Sequence, residues 1–240
     1  MPHTLFISDL HLSADYPDSM AAFRRFIREF APHAEQLYIL GDLFEYWAGD
    51  DDCADPFHAE VIALLRGLVP HQTRVFILHG NRDLLMGEAF ASACQATLIG
   101  EPTLIDLYGT PTVLSHGDTL CTDDVEYLAF RKQVHDPVFQ KDFLVQPLAD
   151  RKAYIRQLRS RSTAEKQHKS MDIMDVNQTA VADLLRAYHY PRLIHGHTHR
   201  PNRHEHVVDG KLCVRWVLGD WGAEGNALRC DADGCTVIRF

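Results

Sequence analysis

Three short apolar runs open this chain, Leu5-Phe6-Ile7, Leu37-Tyr38-Ile39-Leu40 and Val75-Phe76-Ile77-Leu78, each separated from the next by a stretch with helical spacing. Met20, Phe23, Phe26, Ile27 and Phe30 mark the first stretch, over residues 18–30. Phe57, Val61, Ile62, Leu64, Leu65 and Leu68 mark the second. This β-α-β-α-β order is the strongest constraint in the sequence. Strands joined through helices run parallel and their crossovers are right-handed, so the region predicts a largely parallel sheet.

After Gly100 the rhythm changes. Short strands are expected over 103–107 and at Thr112-Val113-Leu114-Ser115, behind a Gly109-Thr110-Pro111 turn. Residues 121–170 carry no strand signal and read as helical. A helix over about 173–188 leads into the strand Arg192-Leu193-Ile194. The tail offers strands over 204–208, 212–218, 226–230 and 235–240, with turns at Asp209-Gly210 and Asp233-Gly234. No internal repeat or low-complexity linker divides the chain. With 240 residues, 46% hydrophobic and 24% charged, it is long enough for a sizeable core. The expected architecture is α/β: a single two-sheet α/β/β/α layered domain over 1–240, with a helical insertion at 121–170.

Polar clusters follow five of the expected strands: Asp9-Leu10-His11, Gly41-Asp42, His79-Gly80-Asn81-Arg82-Asp83, His116-Gly117-Asp118 and His195-Gly196-His197-Thr198-His199. Ligands of open α/β sheets gather beyond the carboxyl ends of the strands, so residues scattered over most of the chain can meet at one site. Taken singly, each cluster is ordinary. Gly-Asp and Gly-Asn are common turns, and a lone His behind a strand is usually a core residue. All five in this order are hard to assign to chance. Fifteen histidines, five of them within 195–206, point the same way. Carboxylate, imidazole and amide oxygen suit manganese, iron or zinc, and no cysteine-rich zinc pattern is present. Two such ions about 3.5–4 Å apart would activate water and clamp phosphoryl oxygens. Arg82, beside Asn81, is placed to fork onto a phosphate oxygen.

The series D-x-H, G-D, G-N-x-[DE], H and G-H-x-H resembles the signature of the calcineurin-like binuclear metallophosphoesterases, over most of the chain. The resemblance implies their four-layer α/β/β/α sandwich. It also implies one metal on Asp9, His11, Asp42 and His199, with Asp42 bridging to a second held by Asn81, His116 and His197. His195 falls outside that ligand set. Phosphoprotein phosphatases of this superfamily carry Gly-Asn-His-Glu, whose His is associated with alkoxide departure. Gly80-Asn81-Arg82-Asp83 favours a leaving group that is already a phosphate.

Longer strings narrow the match. Leu43-Phe44-Glu45-Tyr46-Trp47, the run 116–124 and Ile173-Met174-Asp175-Val176-Asn177-Gln178 are similar to the UDP-2,3-diacylglucosamine diphosphatase family of Gram-negative lipid A synthesis. The implied reaction is manganese-dependent cleavage of the UDP-2,3-diacylglucosamine pyrophosphate to UMP and 2,3-diacylglucosamine 1-phosphate, with water attacking the α-phosphorus. By the same resemblance Asn81, Arg82 and His116 are catalytic groups. Asn81, Arg82, Asp124, Ser162, Lys166, Lys169 and His197 would contact the substrate, Lys166 standing where the family often has Asn.

The insertion suits that substrate by composition. Residues 151–169 hold Arg151, Lys152, Arg156, Arg159, Arg161, Lys166 and Lys169 against Glu165 alone, a local reversal in a chain of net charge −9. An apolar supply including Phe130, Val134, Val138, Phe139 and Phe143 precedes them. Such a segment is either an amphipathic hairpin with a solvated basic face, or a lid with a groove for acyl chains and cations for phosphates or anionic lipid. Trp47, Tyr127, Phe130, Phe143 and Arg159 are candidates for the groove wall, although core packing accounts for each aromatic equally well.

No apolar run reaches the length of a membrane span, and the N-terminus lacks a signal-peptide pattern. The expected location is therefore cytoplasmic, and the resemblance adds peripheral attachment to inner-membrane lipid with no obligatory protein partner. The six cysteines lack a C-x-x-C pair and are expected as reduced thiols. Net negative charge argues against a nucleic-acid partner, an exonuclease included. Two rival readings remain open in the sequence. One is another binuclear phosphoesterase, separable by substrate profile. The other is a metal-free scaffold, which would show eroded ligand positions where this chain keeps them all.

Overall fold

A computed structural model of the chain describes residues 1–166 and 175–240, the helix end 161–166 by its backbone alone. The opening alternation is realised as β1 (Thr4–Ile7), α1 (Pro17–Glu29), β2 (Gln36–Leu40), α2 (Pro56–Arg66) and β3 (Arg74–Leu78), with β1, β2 and β3 paired in parallel. Two elements without a sequence signal follow, α3 (Glu88–Cys94) and β4 (Thr97–Ile99), the latter parallel to β3. The second half supplies β5 (Thr103–Leu107), β6 (Thr110–Leu114), β7 (Arg192–His195), β8 (Asn202–Val208), β9 (Lys211–Val217), β10 (Asn226–Asp231) and β11 (Gly234–Arg239). Its helices are α4 (Val125–Val134), α5 (Pro137–Leu144), α6 (Leu148–Lys166) and α7 (Gln178–Ala187). The start of the helix expected over 173–188 lies outside the described residues.

The strands form a six-stranded sheet, β11-β10-β1-β2-β3-β4, and a five-stranded sheet, β5-β6-β7-β9-β8. Strand parity explains why the central runs are apolar without alternation. Leu5, Ile7, Leu37 and Ile39 pack with Phe23 and Phe26 of α1 and Val61 and Leu65 of α2, whereas Phe6, Tyr38 and Leu40 pack with Leu114 and Ile194 of the other sheet. On the far side, Val113 and Leu193 pack with Val181 and Leu185 of α7. Both faces of each sheet are thus covered, which requires apolar residues at every position of the central strands. The result is the expected α/β/β/α layering. Asp55, Asp124, Asp136 and Asn177 accept hydrogen bonds from backbone N–H groups at the starts of α2, α4, α5 and α7, which fixes where those helices begin.

Two sequence expectations are corrected. Cys230 and Cys235 are opposite one another in the β10–β11 hairpin, 4.1 Å apart at Cα, and are joined in a disulfide, so these two are not free thiols. Cys53, Cys94 and Cys213 are free thiols.

The second correction concerns the basic segment. Arg151, 1% exposed, donates to the Ala48 and Gln146 carbonyls and to the Asp51 carboxylate. Lys152 Nζ lies 2.6 Å from Asp52 Oδ1, and Arg159 pairs with Glu45. Three of the seven cations therefore pin α6 onto the loop 45–55 and do not form a free basic face. Composition counts charges without showing their partners.

Candidate metal centre and substrate groove

The carboxyl ends of β1, β2 and β3 share one edge of their sheet because the strands are parallel, and β6 and β7 share an edge of theirs for the same reason. Pairing continues past the strand ends. Asp9 N–H donates to Gly41 O at 3.1 Å, His11 N–H to Asp42 O at 3.0 Å, and Gly196 N–H to His116 O at 2.9 Å. The two edges are tied by His116, whose Nδ1 is 2.9 Å from Leu40 O.

Backbone conformation aims the side chains. Asp9, His11, Asp42, His197 and His199 all have φ between 48° and 68°, the left-handed region that non-glycine residues seldom occupy. Five of the seven candidate ligands share this conformation, a concentration of strain of the kind found at functional sites. Close approach demands glycine beside them. A Cβ on Gly41 would stand 2.6 Å from the Gly80 backbone, and one on Gly80 would collide with the Asp42 carboxylate. Asp83, buried behind the site, accepts from Gly80 N–H (2.8 Å), Leu43 N–H (2.8 Å) and Asp42 N–H (3.3 Å), clamping the two loops together.

The candidate ligands converge into two adjoining nests. In the first, donor atoms of Asp9, His11 and His199 lie within 4.8 Å of one another, with His11 Nε2 3.3 Å from His199 Nε2 and 3.8 Å from Asp42 Oδ2. In the second, Asn81 Oδ1 is 3.0 Å from both His116 Nε2 and His197 Nδ1, and His116 Nε2 is 3.8 Å from Asp42 Oδ1. Asp42 faces both nests. A third close group, Asp52, Asp55 and His58, is answered by the Lys152 ammonium, 2.6 Å from Asp52 and 3.5 Å from Asp55.

Fit to a cation can be judged from the polar atoms themselves. Asp9 Oδ1 is buried with no well-aligned hydrogen bond among the described residues, its near neighbour being His199 Nε2 at 3.4 Å, and a cation between these two candidate ligands would satisfy both. Electrostatics agree. Burial would lower the His116 pKa, yet Asp42, Asp9, Asp118 and Glu101 outweigh it and hold the imidazole up to about 10. His199 is likewise raised to about 9, burial being overcome by its contacts with Asp220 and Asp9. Burial also opposes ionisation of Asp9, but the close His199 imidazole and the His116 charge hold its carboxyl well below the usual range. His197 is pushed down to about 4 by burial and by His116. The pocket thus carries a strong negative field that a divalent cation satisfies, and its O/N donors fit such an ion. His195 sits behind the nests, fully buried between Gly196 O and Arg215, its pKa lowered to about 3 by burial and that guanidinium.

From this centre a cavity of about 710 Å³ runs under the helices α4 to α6. Trp47, Tyr127, Phe130, Phe143 and Arg159, the groove candidates, all line it, as do Asn81, Arg82, Asp124 and His197. Arg82 lies 3.9 Å from Asp42 Oδ2 through its Nε. Ser162 and Lys166 belong to α6, whose backbone alone is described there; Lys169 lies outside the described residues.

Several residues outside the expected ligand set join the site to its surroundings. Asp118 Oδ2 accepts from Tyr127 Oη and Arg131 Nε, both at 2.6 Å. Glu101 accepts from Arg131 (3.1 Å), Ser115 Oγ (2.7 Å) and His116 N–H (2.7 Å), so α4 is tied to the strand that carries His116. The Tyr127 ring stands 5.9 Å from that of His197. Glu45 and Asp220 lie 3.2 and 3.4 Å from the Nδ1 atoms of His11 and His199.

A profile of the calcineurin-like phosphoesterases matches residues 2–201. A UDP-2,3-diacylglucosamine hydrolase of Aromatoleum aromaticum is 52% identical over 98% of this chain and 96% of its own. Proteins of the same name from Serratia proteamaculans and Klebsiella pneumoniae are 46% and 45% identical, over 99% of this chain and 99% and 98% of theirs. The chain belongs to the UDP-2,3-diacylglucosamine hydrolase family of calcineurin-like phosphoesterases. A metallophosphoesterase of this family is a hydrolase, and the Asp and His groups gathered at its strand ends are placed to bind metal. The profile spans β1 to the His197-Thr198-His199 turn and thus every strand end that carries a candidate ligand.

Proposed function

We propose that this chain hydrolyses the pyrophosphate bond of UDP-2,3-diacylglucosamine, water attacking the α-phosphorus to give UMP while 2,3-diacylglucosamine 1-phosphate departs. The observation that carries the reading is the junction of a polar ligand cluster with an apolar cavity of about 710 Å³. A substrate with a pyrophosphate beside two acyl chains has the same division of chemistry. Family membership at near full length supports it.

Asp9, His11, Asp42 and His199 would hold one divalent ion, and Asp42, Asn81, His116 and His197 a second; manganese is our assignment for both. Bound there, the ions supply a water of lowered pKa and neutralise phosphoryl charge. Arg82 offers its guanidinium to the α-phosphoryl oxygens as their charge grows. Asn81, His116 and Arg82 are the catalytic groups; Asp124, Ser162, Lys166, Lys169 and His197 bind the sugar phosphate. Helices α4 to α6 act as a lid within a single domain, Phe130 and Phe143 excluding water from the acyl chains.

Membrane attachment belongs to the same reading. No helix of the described residues is long and apolar enough to cross a membrane. Val125, Val138 and Val145 of the insertion are 72%, 66% and 77% exposed, apolar side chains that could enter a lipid surface, and the cytoplasmic leaflet of the inner membrane is where we place the protein.

The test is UMP release from UDP-2,3-diacylglucosamine in detergent, with Mn²⁺ and with EDTA. Metal-dependent release that outpaces UDP-N-acetylglucosamine hydrolysis is the expected result. No cleavage by protein shown to contain metal would overturn the lipid assignment.

A further inference from the structure

Glu45 is not among the proposed ligands, yet its carboxylate stands between one of them and the insertion. One oxygen, Oε2, is 3.2 Å from His11 Nδ1. The other, Oε1, accepts from Arg159, whose guanidinium also donates to the Glu45 carbonyl. Arg159 belongs to α6, more than a hundred residues further along the chain. On the opposite side of the imidazole, His11 Nε2 faces Asp42 and His199. His11 Nδ1 is buried and has no aligned hydrogen bond among the described residues, so the adjacent carboxylate is the acceptor available to its proton. A carboxylate on the far nitrogen of a metal-binding histidine fixes the tautomer and makes the facing nitrogen a better donor.

We propose that Glu45 is a positioning residue that couples the docking of α6, through Arg159, to the binding of a divalent cation by Asp9, His11, Asp42 and His199. This rests on the reading of those four residues as a metal site. A side chain that holds His11 on one face and Arg159 on the other makes the two events share one carboxylate. Coupling of this kind is reciprocal: metal holds α6 down, and a docked α6 favours metal. The remaining anchors of α6 are built differently. Arg151 and Lys152 contact the Ala48 carbonyl, Asp51, Asp52 and Asp55, none of which touches His11. They hold the same helix without access to the ligand, and so provide the internal control.

Two measurements on the full chain test the proposal: Mn²⁺ stoichiometry and affinity by competition with a chelating dye, and amide hydrogen exchange of residues 149–159 with and without saturating Mn²⁺. In the wild type, Mn²⁺ is expected to slow exchange in α6 about tenfold, within the usual range of coupling between sites. Glu45→Ala is expected to bind Mn²⁺ more weakly and to lose that slowing. Glu45→Gln, whose single amide oxygen can accept from only one of the two neighbours, should retain part of it. Arg159→Ala should lose the slowing as Glu45→Ala does, and stands in if that variant fails to fold. Lys152→Ala should speed exchange in α6 yet keep the response to Mn²⁺. Two bound ions with no effect on α6 in the wild type would overturn the coupling alone. So would an intact response in Glu45→Ala, or a response lost equally in Lys152→Ala. Failure of the wild type to bind Mn²⁺ would overturn the metal site and the coupling together.

Discussion

Replacing Arg151 by Met should release the insertion without disturbing the metal ligands. Arg151 is 1% exposed, and its guanidinium meets three acceptors. They do not count equally. Ala48 is wholly buried, so its carbonyl would lose a charged donor with no water to replace it, at about 1.5–3 kcal/mol. The Gln146 carbonyl, on an exposed residue, and Asp51, whose side chain is 55% exposed, can rehydrate, and each loss is worth about 1 kcal/mol or less. Methionine restores most of the aliphatic volume, which keeps the cavity contribution small. The sum is about 3 kcal/mol, or roughly a hundredfold in the equilibrium between docked and open insertion, at about 1.4 kcal/mol per factor of ten. Native-state trypsin cleavage reads that equilibrium, because α6 is rich in Arg and Lys and cleavage follows the open population when opening is fast. Cleavage in 148–166 should accelerate about a hundredfold in Arg151→Met, while cleavage elsewhere stays unchanged. Acceleration below about threefold would refute the assignment of Arg151 as an anchor of α6.

Asp42→Ala or His116→Ala should abolish turnover while near-ultraviolet circular dichroism stays native; full activity at controlled metal content would sink the two-ion mechanism. Arg82→Ala should lower kcat about 10²–10³-fold with little change in melting temperature, and an unchanged kcat would remove Arg82 from the transition state. Stability in acid should depend on Asp118. Burial raises its pKa, but His116, His197, Arg131 and the Tyr127 hydroxyl outweigh burial and hold the carboxyl well below its ordinary 3.8. A carboxyl depressed in the folded state stabilises fully above the unfolded value and loses that contribution as pH falls through the folded one. Below about pH 4 the metal-free wild type should therefore lose stability more steeply than Asp118→Asn in a denaturant titration, and parallel curves would exclude Asp118 as the source.

The central strands were legible because burial on both faces leaves runs such as Leu37-Tyr38-Ile39-Leu40 with no polar interruption. β4 was not, since three residues, Thr97–Ile99, are too few to show a period and are fixed by pairing to β3. α3 buries Phe90, Ala91 and Cys94, but its seven residues are too few for that face to show a helical period. The disulfide escaped notice because Cys230 and Cys235 meet through hairpin register, which spacing rules for metal or redox motifs do not encode. The candidate ligands could be found because each lies within a few residues of a strand end, a position visible in the sequence. Their left-handed backbone could not, because Asp9, His11 and His199 announce no positive φ.

Charge was the least legible property, and its redistribution matters for recognition. Seven cations over 151–169 invited a basic face for phosphate or lipid, but a cation in a helix serves whatever its side of the helix meets. Arg151, Lys152 and Arg159 meet the carboxylates of Asp51, Asp52 and Glu45, which lie in the loop after β2 and carry no sequence mark as partners. Three positive charges are thereby spent on holding the groove roof. In the proposed function, phosphate recognition would rest on Arg82, which lines the cavity beside Asn81 and His197, together with the cations proposed beyond residue 160. Arg82 is itself within 3.9 Å of Asp42, so the guanidinium proposed to meet the phosphoryl oxygens would be held near the carboxylate shared between the two nests. On that proposal, recognition would depend on one preorganised arginine next to Asn81 more than on the number of cations in the insertion.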